Sequence, residues 1–413
     1  MTIATPRSPR RAATIFIFVT VVLDMLAMSL IIPVLPKLIQ SLDKGPMSYT
    51  AEVVGVFATV FAVMQFVVSP IQGSLSDRFG RRPIVLASNF GLGIDYVVMA
   101  LAPSLPWLFV GRLIAGAASG SVSAAYAYLA DVTEPDKRAA SFGLIGAAAG
   151  VGSIIGPVIG GQLALFDLRA PFWVAGLLSL ANGLYGLFVL PESLAKDQRV
   201  PIDWRQMNPV GALWWLLSSY PRLAIMIVAA MLLSLVNSGV NAVAVLYTIF
   251  RYHWSTGDIG ILLTGFGVAT FAAQALLLAP AAKWLGERAT MLAALLLTIV
   301  GLVMFGRSVD GFAFELGIPF MALGAMAAPM IAAFFSGAVK PTEQGRLQGA
   351  WTSINSLMGV FAPGLFMAIF ANAIGKEDRP YLAGAPFLVA AGMVAMAAGL
   401  AAWATTHPPK AAP

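Results

Sequence analysis

The chain has 413 residues, 59% of them hydrophobic and only 11% charged, against about 25% charged in a soluble globular domain. It has no cysteine and two histidines, His253 and His407. The absence of cysteine excludes disulfides, thiolate metal sites and cysteine nucleophiles, and both histidines lie beside a helix end or in the tail, which argues against an internal zinc site or Ser-His-Asp triad. The class is a polytopic, all-α integral membrane protein, and the 40 glycines and 26 prolines suit spanning helices, which tolerate both.

Apolar runs of about the length a span needs predict helices over 12–36, 53–73, 83–102, 107–129, 140–162 and 171–190, then over 221–247, 259–281, 289–306, 313–337, 347–371 and 384–405. The first run carries Asp24 and lacks an A-x-A cleavage site, so it reads as a retained span rather than a signal peptide. The polar stretch between the sixth and seventh runs is the one substantial break. It divides the chain into a six-helix half over 1–190, a cytoplasmic linker over 191–220 and a second six-helix half over 221–413. The halves echo each other at an offset near 210, with Pro70-x-x-x-x-Leu75-x-Asp77-Arg78 matching Pro280-x-x-x-x-Leu285-x-Glu287-Arg288, and Gly143 and Pro157 recurring as Gly349 and Pro363. A parallel repeat of this kind is a secondary-transporter architecture with the substrate site near mid-membrane. On this layout 17 of the 25 Lys and Arg fall on the side of the N-terminus and seven on the other, with Arg112 inside a helix. The positive-inside rule then puts both termini in the cytoplasm. Topology accounts for the +6 net charge, and no nucleic-acid partner is expected.

Three ionisable residues lie well within predicted spans: Asp24, Asp95 and Arg112. A carboxylate at such depth costs at least ~2.5–3.5 kcal/mol, so it must face a wet cavity, find a partner or bind a proton. Two acids and one base leave one carboxylate without an intramembrane counter-charge, a natural proton carrier; the alternative is a static Asp–Arg pair holding helices together. Between the second and third runs lies Gly73-Ser-Leu-Ser-Asp77-Arg78-Phe-Gly80-Arg81-Arg82-Pro83. Gly73 and Gly80 permit close approach or a left-handed turn, and Asp77 is placed to pair with a neighbouring arginine or cap a helix. A clasp that exists in one conformation gates alternating access. Topology alone also attracts arginines to such a loop. The fifth run reads Gly143-x-x-Gly146-x-x-x-Gly150-x-Gly152-x-x-x-Gly156-Pro157-x-x-Gly160-Gly161. Its glycines form a face for close backbone approach, with Pro157 expected to bend the helix and Gly160-Gly161 to loosen its end.

These segments resemble the major facilitator superfamily, and within it the proton-coupled drug antiporters of the tetracycline-efflux type. Residues 73–83 match the superfamily's loop pattern, and Gly152 to Gly161 match the helix-five motif associated with drug:proton antiporters. Asp24-x8-Pro33-x-x-Pro36 resembles the family's first-helix motif. Asp95-Tyr96-x-x-Met99-Ala100-x-Ala102-Pro103, Gly111-Arg112, Phe250-Arg-Tyr-His253-Trp254, Leu285-Gly286-Glu287-Arg288 and Gly345-Arg346-Leu347-Gln348-Gly349 are similar to the tetracycline-type pumps. The resemblance implies that Asp24 and Asp95 serve proton or substrate coupling, that Arg112 is the helix-four arginine, and that Asp77 with Arg81 forms the gate. It also implies a proton gradient as energy source, no cofactor, a bacterial cytoplasmic membrane, and a monomer that handles a small molecule and protons within the bilayer. Two positions depart from it. Thr298 stands where tetracycline pumps carry an aspartate in helix nine, and Thr270 where they carry a histidine in helix eight, which points away from tetracycline itself. Substrate recognition then falls to sparse polar groups: Asn237, Asn241, Gln274 and Asn355, with Gln65 from helix two, each of which can equally be an interhelical hydrogen bond.

No G-x-x-x-x-G-K-[ST] occurs, so a nucleotide-driven pump is rejected. An integral membrane enzyme lacks its paired acids or Ser–Lys sites. A proton symporter importing a nutrient shares the fold, the gate and the buried acids; the helix-five motif and the tetracycline-like segments favour export.

Overall fold

The computed structural model describes residues 9–133, 138–195, 197, 199, 211–340, 343–375 and 380–406. Residues 196, 198 and 200–210 of the expected linker lie outside them, as do Arg7, Lys137, Lys376, Arg379, His407 and Lys410. Among the described residues there is no strand, and twelve helices are long and apolar enough to cross a membrane: Phe16–Asp43, Met47–Phe79, Arg81–Leu101, Leu105–Val132, Ser141–Phe166, Ala170–Val189, Ala224–Tyr252, Thr256–Leu285, Glu287–Arg307, Gly311–Ala338, Arg346–Ile374 and Leu382–Thr406. They are called spans one to twelve below.

All twelve expected helices are present, but several are longer than their apolar runs. Span two has 33 helical residues, about 50 Å at 1.5 Å per residue, well beyond a ~30 Å hydrocarbon core. Hydropathy marks the part of a helix that lipid requires, whereas backbone hydrogen bonding continues into the polar residues on either side. The segment expected as a loop over 73–83 is thereby corrected. Asp77 and Arg78 lie in the last turn of one helix, Arg81 and Arg82 in the first turn of the next, and Gly80 alone joins them at φ +112°. Gly73 sits inside the helix, with open space where a side chain would project; it makes neither the turn nor the close approach expected of it. Gly286, at φ +83°, makes the same junction between spans eight and nine.

Those two glycines are 206 positions apart, as are Pro157 and Pro363. The offset near 210 therefore aligns the wrong residues at one motif. Asp77 precedes its junction glycine, whereas Glu287 follows its own.

Four spans are interrupted. Span one runs helically to Leu30, turns over 31–34 and resumes at Leu35, because Pro33 has no N–H to offer the Ser29 carbonyl. Span four breaks between Ala118 and Ser121, where the Gln72 amide of span two donates to the Ala117 carbonyl at 2.6 Å and occupies the space a side chain on Gly120 would need. Span eight contains a π-helical turn, Ala273–Leu277, and span ten is a series of short helices.

Packing divides the chain into two units, Met1–Leu38 with Val63–Asn208, and Ile39–Ala62 with Pro209–Pro413. In the first, Phe16, Ile17 and Val21 of span one bury against Val85, Ala125, Tyr128 and Ile145. In the second, Tyr247 sits among Phe314, Phe370 and Phe387, and the rings of Phe305 and Phe314 stack at 4.1 Å. Part of the segment between spans six and seven is itself helical, Gly211–Ser219.

Candidate functional site

Asp24 lies mid-span and buried, 2% exposed. Its surroundings are polar but uncharged. With the Asn89 amide oriented to satisfy both its ends, its nitrogen donates to the Asp24 carboxylate at 2.9 and 3.3 Å, and its oxygen accepts from Asn182 Nδ2 at 3.2 Å. Asn182 Nδ2 also reaches Asp24 Oδ1 at 3.5 Å, and Thr20 Oγ1 donates to Asn182 Oδ1 at 3.2 Å. The Ser121 hydroxyl completes the ring. The carboxyl group of span one is thus held by spans three, four and six, and among the described residues it forms no ion pair.

Asp95 is different. Fully buried on span three, it faces Arg112 of span four, Nη2 to Oδ2 3.4 Å. Arg112 also donates to the Met99 sulfur. The Asp95 Oδ1 atom has no hydrogen-bond partner, and the absence of a side chain on Gly111 leaves it room, since a Cβ there would approach it to 2.8 Å. The single base therefore sits with Asp95, and Asp24 is the acid left without a counter-charge.

The junction at Gly80 organises a second charged cluster. Arg81 binds Asp77 one helical turn earlier (2.5 Å), Asp131 at the end of span four (3.1 Å) and the Ser76 hydroxyl (3.1 Å). Asp77 caps no helix. That role belongs to Glu192, just past span six, whose Oε1 accepts the Arg81 backbone N–H at 2.8 Å and those of Ser193 and Leu194. A carboxylate at this first turn is favoured by the orphan N–H groups and the helix dipole. Ser193 Oγ donates to Asp131, and Arg82 donates to the Leu187 carbonyl at 2.6 Å. Arg78 stands over the Phe79 ring and takes no part. Asp131, Glu192 and Ser193 carry no signal in a span-by-span reading, because they stand just past the ends of apolar runs, outside any motif.

In span five, Gly152, Gly156 and Gly160 face span one closely. A Cβ at Gly152 would come within 2.6 Å of the Val22 carbonyl, one at Gly156 would collide with Ser29, and one at Gly160 with the Leu30 carbonyl. Ser29 Oγ donates to the Gly152 carbonyl at 2.9 Å. Gly143, Gly146 and Gly150, by contrast, have nothing within 4 Å of such a carbon, so the glycine face divides into a packed and an open part. The helix continues through Pro157, Gly160 and Gly161 to Phe166, and the expected loosening at Gly160-Gly161 does not occur.

Within the C-terminal unit, a cavity of about 360 Å³ is lined by Asn237, Asn241, Gln274 and Asn355. Four of the five expected substrate-binding residues are thus gathered at one site; Gln65 of span two is outside it. Thr270 and Thr298, the two departures from the tetracycline pattern, line the same cavity, with Phe266 and Trp351. Asn355 accepts from Ser234 Oγ at 2.8 Å and donates to the Trp351 carbonyl at 3.0 Å. The Asn241–Asn237 and Gln274–Ala325 contacts are 3.5 Å each, at the outer limit of a hydrogen bond.

Twelve apolar helices, acids buried within them and a polar-studded apolar cavity define a membrane carrier. The chain belongs to the Major Facilitator Superfamily, whose family model matches residues 17–305 and 226–413. The class C tetracycline resistance protein of Escherichia coli is 38% identical over 87% of this chain and 90% of its own. The class G protein of Vibrio anguillarum is 32% identical over 88% and 92%. The crystal structure of the human organic anion transporter MFSD10 shares the fold, with a TM-score of 0.70, 24% identity, and 96% of this chain and 100% of that one covered.

Proposed function

We propose that this protein is a proton-coupled antiporter of a bacterial cytoplasmic membrane, with both termini inside, that exports a small amphipathic molecule. Its six-helix halves, 1–190 and 221–413, alternate access as a monomer on the proton gradient, with no cofactor, nucleotide or nucleic acid. Asp24 carries the proton. The observation that carries this reading is its uncharged cage: amide and hydroxyl groups support a carboxyl group in either protonation state, whereas a fixed cation holds it ionised. Asp95 and Arg112 orient spans three and four around that cage, and the Arg81 clasp with Asp77, Asp131 and Glu192 gates the cycle. Gly152, Gly156 and Gly160 form the rigid span-one contact that keeps Asp24 in register. The relatives' names, which speak of resistance, support export over import. Thr270 and Thr298 leave the cavity without the imidazole and carboxylate of tetracycline pumps, which favours another drug or metabolite.

The test uses everted vesicles containing an internal pH dye and energised to an acidic interior, with amphipathic compounds added one at a time, magnesium–tetracycline among them. The antiport reading expects at least one compound to drain the proton gradient in vesicles carrying this protein and not in empty ones. Silence across the panel with folded protein counts against it.

A further inference from the structure

The cavity of the C-terminal unit has a property that bears on its ligand: no lining residue is ionisable. A charged ligand entering it loses water and gains no counter-ion, which is strongly unfavourable. A chelated hard cation needs oxygen donors, carboxylates above all; the lining offers no carboxylate, and no group of three or more His, Cys, Asp or Glu placed to hold a metal occurs among the described residues. What it does offer is amides, each donor and acceptor at once. Two of their contacts, Asn241 to Asn237 and Gln274 to Ala325, are stretched to 3.5 Å and are replaceable by a ligand's hydroxyl, carbonyl or amide. Gln274 lies in the π-helical turn, a distortion frequent at functional sites. Trp351 supplies an aromatic wall, and about 360 Å³ suits a small molecule.

We propose that this cavity binds an uncharged, metal-free amphipathic molecule, recognised by amide hydrogen bonds and aromatic contact. The proposal rests on the antiport reading for one consequence. An uncharged substrate exchanged for the proton of Asp24 moves one net positive charge inward per proton, so a membrane potential alone drives export.

The experiment measures quenching of Trp351 fluorescence, with Trp351→Phe as the control, in the full-length purified protein. Three probes are compared: chloramphenicol, an uncharged aromatic amide with two hydroxyls; tetraphenylphosphonium, an aromatic cation; and magnesium–tetracycline. Chloramphenicol is expected to bind at least about tenfold more tightly than either other probe, and Asn241→Asp to shift the balance toward the cation by about tenfold or more. Thr298→Asp serves where Asn241→Asp does not fold. Equal or tighter binding of either charged probe overturns the proposal, as does binding of none. In proteoliposomes, chloramphenicol movement driven by an imposed potential without a pH gradient supports it; movement that follows only the pH gradient overturns it. Selective chloramphenicol binding without any proton flux supports the assignment of the cavity and strikes the antiport reading alone.

Discussion

At the scale of single residues, the two buried acids divide their work by their partners. Arg112 faces Asp95 and leaves its Oδ1 atom unsatisfied, whereas Asp24 is met by the Asn89 and Asn182 amides and the Ser121 hydroxyl. Removing one member of a buried pair strands the other, at about 3–5 kcal/mol. Arg112→Leu and Asp95→Asn are therefore each expected to lower thermal stability in detergent, the first leaving a carboxyl group and the second a guanidinium without its partner, and the double variant, which strands neither, to lose less than the sum of the two. Additive losses contradict this pairing. The acids themselves are legible in the sequence, since each is the one carboxylate in a long apolar run. The cage is not. Asn89 and Asn182 lie in spans where an asparagine more often glues helices together, and only the bundle brings both to the same carboxyl group.

At the scale of elements, two contacts separate packing from gating. Gly160 meets the Leu30 carbonyl with no room for a side chain, while Gly146 faces open space. Gly160→Val should destabilise the fold by roughly 1–3 kcal/mol or more through overpacking, and Gly146→Val should leave unfolding in detergent nearly unchanged. Equal effects argue against the seam. The Arg81 clasp has the opposite character. Asp77 is half exposed, and exposed ion pairs contribute about 0.2–1 kcal/mol, so Asp77→Asn should unfold almost as the wild type does yet slow transport severalfold. Wild-type turnover in that variant argues against a gate. The motif over 73–83 is legible as chemistry and misread as a loop, because its charges suggest solvent while the backbone keeps its helical hydrogen bonds up to Gly80. Glu192, which holds the first turn of span three, lies 111 positions from Arg81, beyond any local pattern.

At the scale of the whole molecule, the twelve spans are legible because lipid demands long apolar helices, and the repeat because Gly143 and Pro157 recur as Gly349 and Pro363; the matching junctions at Gly80 and Gly286 show only in the backbone. The residues of the C-terminal cavity, too, are visible as sparse polar groups in apolar helices. Their convergence on one cavity, together with Thr270 and Thr298, depends on helix rotation, which no single run encodes. The halves share a scaffold and divide its chemistry: buried acids in the first, an uncharged cavity in the second. Coupling then requires that substrate binding in one half discharge the proton held in the other. The most direct measurement is proton release on substrate binding, followed with a pH indicator in weakly buffered detergent solution, using whichever compound drains the vesicle gradient. The account predicts proton release by the wild type and by Asp95→Asn, and none by Asp24→Asn, although that variant still binds the compound. Undiminished release from Asp24→Asn would contradict it.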